Sequence, residues 1–450
     1  MLAGILIYTF CSSLKEGAMH KRLTSFFIIS LFTILINITS AQAATSGAFN
    51  LFGSDAEALG KGNAFTGEAD NPAAVYFNPA GTSQLKDGIH LSIGTAVMRP
   101  QVTHTGTSGV KTQMRQHTFF LPEVYAVSNV GTEKFHFGFG VKTNFGAGTD
   151  WAPESFSKYV ATKTELQTVD YSLIGAYQVN DQLSIGVGFD AVDSSLAETK
   201  SINQSSNTDG QAQIKGSDMG YGYSLSTLYK LNDQHQFGLI YRSAVELNLR
   251  GKVHLDSLSS SGSNLAGIFL GTSYTTAAKG NLELPQSVAL GYSFRPNDKW
   301  TFNFDTEWMD WSSIEQQNFD FPDVNSSTQQ YILNSSSDLP LDWKSTVSYG
   351  IGTEYAYSDR LRFRAGYAYN PSPIPKANFH TFLPDADSHN VSIGVGWNIN
   401  ENMVLDATYM ALMFQDRKIT NNVGAAVGAS INGKYEEWIN FGMLTLSYNF

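Results

Sequence analysis

Cysteine is almost missing from this chain of 450 residues: the only one, Cys11, stands near the N-terminus. Without further cysteines there is no disulfide framework and no thiolate metal site. Charge is scarce too, at 15% of residues, and the net charge of −11 comes with no basic stretch that could neutralise a phosphate backbone, which excludes a nucleic-acid partner. Past residue 43 no segment approaches the roughly eighteen apolar residues of a membrane helix, so any membrane crossing is made by strands. No serine and histidine sit in a recognisable nucleophile motif, and no catalytic residue, cofactor or metal site is expected. Asp385, Asp387 and His389 have ligand-like spacing, but such a cluster is ordinarily a solvated loop.

Glycine and aromatics are abundant instead, with 40 Gly, 29 Phe and 13% aromatic residues. His20-Lys21-Arg22, the apolar run 23–38 and Ala41-Gln42-Ala43 make the three regions of a secretory signal, with cleavage after Ala43. Met19 stands where such a signal starts, so residues 1–18 read as an upstream extension. Residues 1–43 are therefore assigned to extension plus signal, and the working chain lacks cysteine.

Period-two alternation recurs along the rest of the chain, in 135–142, 183–191, 300–308, 347–355 and 391–399. One face is apolar. The other carries Lys142, Asp190, Asp305, Glu307, Glu354, Arg362, Arg364 and Asp406, together with glycines such as Gly186, Gly188, Gly350, Gly352, Gly394 and Gly396. Glycine weakens a strand, but on an inner wall it makes room for something packed in a lumen. Six short polar turns, 129–134, 180–182, 232–236, 296–299, 357–360 and 400–402, alternate with long links. This predicts an all-β, transmembrane antiparallel β-barrel of about fourteen strands over residues 87–450, the strands beginning near Ile89, His117, Phe135, Leu166, Leu183, Gly220, Gln236, Asn281, Trp300, Ser345, Leu361, Ser388, Met403 and Trp438. Its short turns and both chain ends face the periplasm of a Gram-negative outer membrane, among lipid and lipopolysaccharide. Trp300, Trp308, Trp397 and Trp438 suit interfacial girdles.

Residues 44–86 do not alternate. Asp55, Asn71-Pro72 and Asn78-Pro79 predict short helical turns, and Phe49, Leu51, Phe52, Leu59, Phe65, Val75, Tyr76 and Phe77 need burial. The glycine-lined lumen is the simplest place for them, which makes the segment a short N-terminal hatch.

Leu59-Gly60-Lys61-Gly62-Asn63-Ala64-Phe65-Thr66-Gly67-Glu68 and Phe77-Asn78-Pro79-Ala80-Gly81 resemble the hatch of the FadL-type outer-membrane long-chain fatty acid transporters, including its Asn78-Pro79-Ala80 motif. Phe139-Gly140-Val141, Trp151, Ser155-Phe156 and 158–163 are similar to the family's third strand and second loop. Pro371 to Pro375 and Leu383-Pro384-Asp385 resemble its late outer loop. The alternating end at Phe450 resembles the signal read by the barrel assembly machinery. The resemblance spans the whole mature chain.

It implies passive uptake of hydrophobic compounds, foremost long-chain fatty acids, through a hatch-gated barrel with a lateral exit beside a kinked third strand, where Gly138 and Gly140 are the expected kink residues. The substrate contacts it implies are Lys158, Tyr159, Phe156 and Trp151, with Phe49, Phe52, Phe65 and Phe77 from the hatch. Family members place an arginine where this chain has Lys158, which lacks the bidentate fork for a carboxylate. No second cation stands out in 319–341. Uptake of neutral aromatic hydrocarbons is therefore an alternative, and a general porin, with 44–86 outside the lumen, is another.

Overall fold

Each short turn uses a polar side chain to close a tight reversal. Asn180 Oδ1, for instance, accepts the N–H groups of Gln182 and Leu183, both at 2.9 Å, and Asn232 Oδ1 does the same for Gln234 and His235. The strands that leave these turns alternate as their sequences demand. Ile185, Val187 and Phe189 are exposed on the outer face, as are Val391 and Ile393, while the intervening residues turn inward.

The computed structural model describes residues 48–52, 54–85, 87–205, 207–337 and 339–450. The signal sequence, Met19 and Cys11 lie outside them. The barrel strands are β1 (Ile89–Gly106), β2 (Phe119–Ser128), β3 (Phe135–Lys142, resuming as Gly146–Asp150), β4 (Lys163–Gln178), β5 (Leu183–Ile202), β6 (Gly210–Lys230) and β7 (His235–Arg242 with Val245–Asp256). They continue as β8 (Tyr274–Leu284 with Ser287–Asn297), β9 (Trp300–Met309), β10 (Thr346–Ser358), β11 (Leu361–Asn370), β12 (Ser388–Asn400), β13 (Met403–Phe414) and β14 (Gly433–Asn449). Every neighbour is antiparallel, and β14 pairs with β1 from Asn449↔His90 to Gly433↔Gly106, closing a barrel of 14 strands. Closure leaves neither the first nor the last strand as a sheet edge. The last residue is anchored, the Phe450 N–H donating to the Ile89 carbonyl at 2.9 Å.

The N-terminal segment lies within this barrel. Asp55 caps helix α1 (Ala56–Gly60) by accepting the Ala58 N–H at 2.9 Å, as its sequence position predicts. Helix α2 (Ala74–Phe77) follows the Asn71-Pro72 turn, and a 3-10 helix runs over Pro79–Gln84. Asn78 does not cap that helix with its side chain. Its amide instead donates to the Thr66 and Thr227 carbonyls, both at 3.0 Å, joining two parts of the segment to β6. An open porin requires this segment outside the lumen, whereas residues 54–85 contact the inner wall.

Inner-wall glycines let the segment touch the strands backbone to backbone. A Cβ on Gly366 would stand 2.0 Å from the Gly62 nitrogen, and one on Gly352 would stand 2.2 Å from the Lys61 carbonyl oxygen. Gly62 itself has φ +66°, which a side chain disfavours.

Charges then fix the segment. Lys61, fully buried, pairs with Glu57 at 3.1 Å and with Glu68. Arg364 reaches Glu57, Glu354 at 2.6 Å and Asp406, while Arg295 holds Glu68 and Asp70 at 3.1 and 2.7 Å. Asp305 accepts the backbone N–H groups of Phe65 and Thr66 at 2.9 and 2.7 Å. Such pairs repay their desolvation only when the geometry is this well satisfied, so the register of the segment against the wall is tightly specified.

Candidate functional site: an apolar outer lumen above a broken third strand

The two halves of β3 both pair with β4, Phe135↔Tyr177 through Lys142↔Asp170 and then Gly146↔Gln167 through Asp150↔Lys163. On its other side, pairing with β2 ends at Val141↔Val124. Phe119 to Glu123 remain paired with β1 but have no ladder partner on the β3 side. The next backbone contact across this interval is the Arg115 N–H to the Asp150 carbonyl, 2.8 Å. The wall therefore has an opening between β2 and β3, bounded by Val124–Val141 on the turn side and Arg115–Asp150 on the outer side.

Residues 143–145, and not the predicted Gly138 and Gly140, make the break. Gly138 and Gly140 lie in regular ladder positions, and a Cβ on either would meet Val75 of the N-terminal segment at 2.8 and 3.0 Å. They are glycines because something packs against them. The break itself is upheld from a distance. The Asn144 N–H donates to Asp170 Oδ2 at 3.0 Å, and Thr168 Oγ1 both receives the Phe145 N–H at 3.3 Å and donates to the Phe145 carbonyl at 2.8 Å. From the lumen, the Leu51 N–H donates to the Asn144 carbonyl and the Gly146 N–H to the Phe49 carbonyl, both at 2.8 Å, forming an isolated bridge Asn50↔Phe145.

Above the break the lumen is apolar. Phe49 packs edge-on against Trp311 at 4.8 Å and tilted against Trp343 at 5.5 Å between centroids, and with Trp151, Phe379 and Tyr435 these belong to one buried cluster. A cavity of about 240 Å³ opens here, lined by Phe49, Leu166, Leu249, Leu282, Trp343 and Leu383, with Glu198, Glu283 and Gln317 as polar members. None of its described lining residues is Lys or Arg. A larger cavity of about 1360 Å³ lies at the short-turn end, but Glu57, Glu68, Asp70, Arg295 and Asp406 make it a polar vestibule. Apolar ligands belong in the smaller one.

The structure brings only some of the predicted contact residues together. Phe49 and Trp151 are core members of the cluster, the latter donating its indole N–H to the Thr381 carbonyl at 3.0 Å. Phe156 packs on its border, stacked on His104 at 3.6 Å. Phe65 and Phe77 lie elsewhere, edge to face at 5.4 Å in a separate cluster with Val75, Tyr125 and Ile174, where they seat the segment against the wall. Phe52 is buried beside Asn63 and Thr66. Lys158 donates to Asp209 at 2.6 Å and to Glu154 at 2.9 Å, which hold its ammonium charged, and Tyr159 donates to Asp209 at 2.8 Å. Both therefore tie the second outer loop to the third and stand away from the cavity. Trp311 and Trp343 escaped the sequence reading. Their only signal was an aromatic pair at the two ends of the long 309–344 link, which draws attention mainly for lacking cations.

The sequence model described as "Outer membrane protein transport protein (OMPP1/FadL/TodX)" matches residues 37–450. A long-chain fatty acid transport protein of Escherichia coli O6:H1 is 27% identical, over 92% of this chain and 97% of that protein. Among solved structures, a Pseudomonas aeruginosa FadL homologue superposes with TM-score 0.78 at 18% identity, over 90% of this chain and all of the other. The P. putida toluene transporter TodX gives 0.66 at 19% identity, over 84% and 94% of the two chains. At these identities the superpositions speak for the fold.

Proposed function

The chain belongs to the OMPP1/FadL/TodX family of outer membrane transport proteins, and from that premise we propose that it carries long-chain fatty acids inward by passive diffusion, releasing them sideways into the membrane. The observation that supports this is the opening between β2 and β3 together with an apolar cavity lined by Ala147 of the second half of β3 and by Phe49, whose carbonyl accepts the Gly146 N–H beside the break. A sixteen-carbon tail led onward through the polar vestibule would lose its burial, about 0.8 kcal/mol per CH₂ or roughly 12 kcal/mol in all, whereas lateral exit keeps it in apolar surroundings. Residues 48–85 act as the hatch that makes the axial route closed to small solutes. Lys158 meets a carboxylate by exchanging it for Glu154 or Asp209. Phe450 is the residue read by the barrel assembly machinery, in a membrane of lipid and lipopolysaccharide.

A second reading, uptake of neutral aromatic hydrocarbons, is favoured by one observation: the cavity lining has no cation and its volume of about 240 Å³ is closer to a ring than to a long chain. A cavity of about 150 Å³ already holds benzene. The deciding measurement is uptake of labelled oleate and of labelled toluene by cells that lack their own transporter. If neither enters faster when this chain is present, transport of hydrophobic compounds is the wrong reading.

A further inference from the structure

Lys142 ends the first half of β3, one residue past the last rung with β2, and Asn144 lies inside the break. Both line a cavity of about 60 Å³ between the wall and the hatch residues Asn50, Val75 and Tyr76. The Lys142 side chain is 3% exposed, and its ammonium donates no hydrogen bond: the nearest carboxylate oxygen, Asp170 Oδ2, is 3.9 Å away, and the Tyr76 ring centroid lies 3.4 Å below it. The buried Asn144 Oδ1 accepts none. A buried ammonium with unused donors is costly unless something takes them.

The acids that line this cavity are already used. Asp170 accepts the Asn144 N–H, Asp190 accepts from Ser172, and Glu307 faces Arg242 at 3.5 Å. With three carboxylates against Lys142 and Arg242 in the lining, an added anion would meet net repulsion. The vacant functions are one donor and one acceptor, which match an uncharged group that accepts and donates at once. The volume admits such a group but no ring or tail, being about that of two waters. On the outer side Val192, Val245, Leu284 and Met309 line the same cavity and belong to the apolar cluster above, so a chain can remain there while its head descends.

We propose that Lys142 and Asn144 form a head-group station at the inner mouth of the lateral opening, taking the protonated carboxyl or hydroxyl of a long-chain amphiphile, the Lys142 ammonium donating to its oxygen and its O–H donating to Asn144 Oδ1. This rests on the transport reading and adds to it a selectivity for uncharged protic heads. Burial and the neighbouring carboxylates of Asp170, Asp190 and Glu307 favour the protonated acid.

The test compares oleic acid, oleyl alcohol and 1-octadecene, each radiolabelled, in cells producing the full chain or its variants. Lys142→Met should slow the acid and the alcohol about ten-fold and leave the alkene unchanged, with Lys142→Arg restoring most of the rate. Wild-type acid uptake should rise as pH falls from 8 to 5. If Lys142→Met does not assemble, Asn144→Leu carries the same contrast. Equal slowing of all three compounds, or acid uptake that rises with pH, overturns the station. Failure of the wild type to take up any of the three overturns the transport reading instead.

Discussion

Locking the hatch to the broken strand should stop uptake. Asn50 and Phe145 face each other as an antiparallel pair flanked by, and not joined by, the two backbone hydrogen bonds Leu51 to Asn144 and Gly146 to Phe49. In such a pair the Cα atoms are about 4.5 Å apart, inside the range a disulfide spans. Cysteines at both positions, in a chain whose own Cys11 lies in the stretch read as removed, should therefore oxidise without moving the backbone. The native closure is weak by comparison. Two hydrogen bonds contribute about 1 kcal/mol each, and burial of Phe49 against Trp311 and Trp343 adds about 2 kcal/mol. About 4 kcal/mol leaves the segment lifted on the order of one time in a thousand, until a ligand replaces the Phe49 contacts. A disulfide closing a loop of about 95 residues adds about 4 to 5 kcal/mol against unfolding and forbids lifting altogether. Oleate uptake by the oxidised Asn50→Cys, Phe145→Cys double variant should fall to the vector background and return with a membrane-permeant reductant, while each single variant transports normally. Wild-type uptake by a double variant whose disulfide is verified by mass spectrometry would refute the idea that this segment must leave the break.

Three further outcomes are expected. Gly366→Val places side-chain atoms inside the Gly62 backbone, where an added Cβ already meets nitrogen at 2.0 Å; it should cost more than the usual 1–3 kcal/mol of overpacking and unseat the hatch, read as faster swelling of proteoliposomes in small sugars. Unchanged swelling with normal oleate uptake would mean that the hatch does not seat on this wall. Lys158→Ala should slow oleate two- to five-fold, about the worth of an exposed ion pair, and spare toluene; equal slowing of both would make Lys158 a tie between loops and nothing more. Asp55, raised to about 7 by burial and by Glu57 and Asp406, stays protonated in the folded chain over a range where the unfolded chain has lost that proton, so its contribution to stability declines as pH rises from about 4 to 7. Asp55→Asn should therefore raise the thermal unfolding midpoint at pH 8 more than at pH 4, and an equal shift at both would show that burial of the charge is not the cause.

How legible the molecule is in its sequence follows from where the membrane imposes a period. The starts of β1, β3, β5, β9, β11, β12 and β13 are read to the residue, because a short turn with Asn, Asp or Gly or a clear alternation marks each. The outer reaches are not. β6 begins at Gly210 and not near Gly220, β8 at Tyr274 and not near Asn281, and β14 at Gly433 and not near Trp438. Beyond the hydrocarbon no lipid face demands apolar side chains, so alternation fades while the ladder continues. The burial of 48–85 in the lumen is legible from Gly186, Gly350 and Gly352 on the inner face. The break in β3 is not, since no glycine makes it and its supports, Thr168, Asp170 and residues 49–51, come from other elements.

That dispersal has a physical cause. Backbone groups left without partners at membrane depth cost several kcal/mol each, so a gap in a barrel wall persists only if something other than the neighbouring strand satisfies them. Side chains of β4 serve the Asn144 and Phe145 N–H groups and the Phe145 carbonyl permanently. The Asn144 carbonyl and the Gly146 N–H are served instead by Leu51 and by Phe49, which also borders the apolar cavity. Lifting that segment therefore bares one acceptor and one donor beside the opening at the moment a ligand displaces Phe49. A protic head passing Asn144 meets both needs, and an alkane meets neither. The same hydrogen-bond accounting that allows the wall to be broken thus ties its opening to the chemistry of what passes, and the alkene arm of the uptake comparison should be the slowest of the three in the wild-type chain.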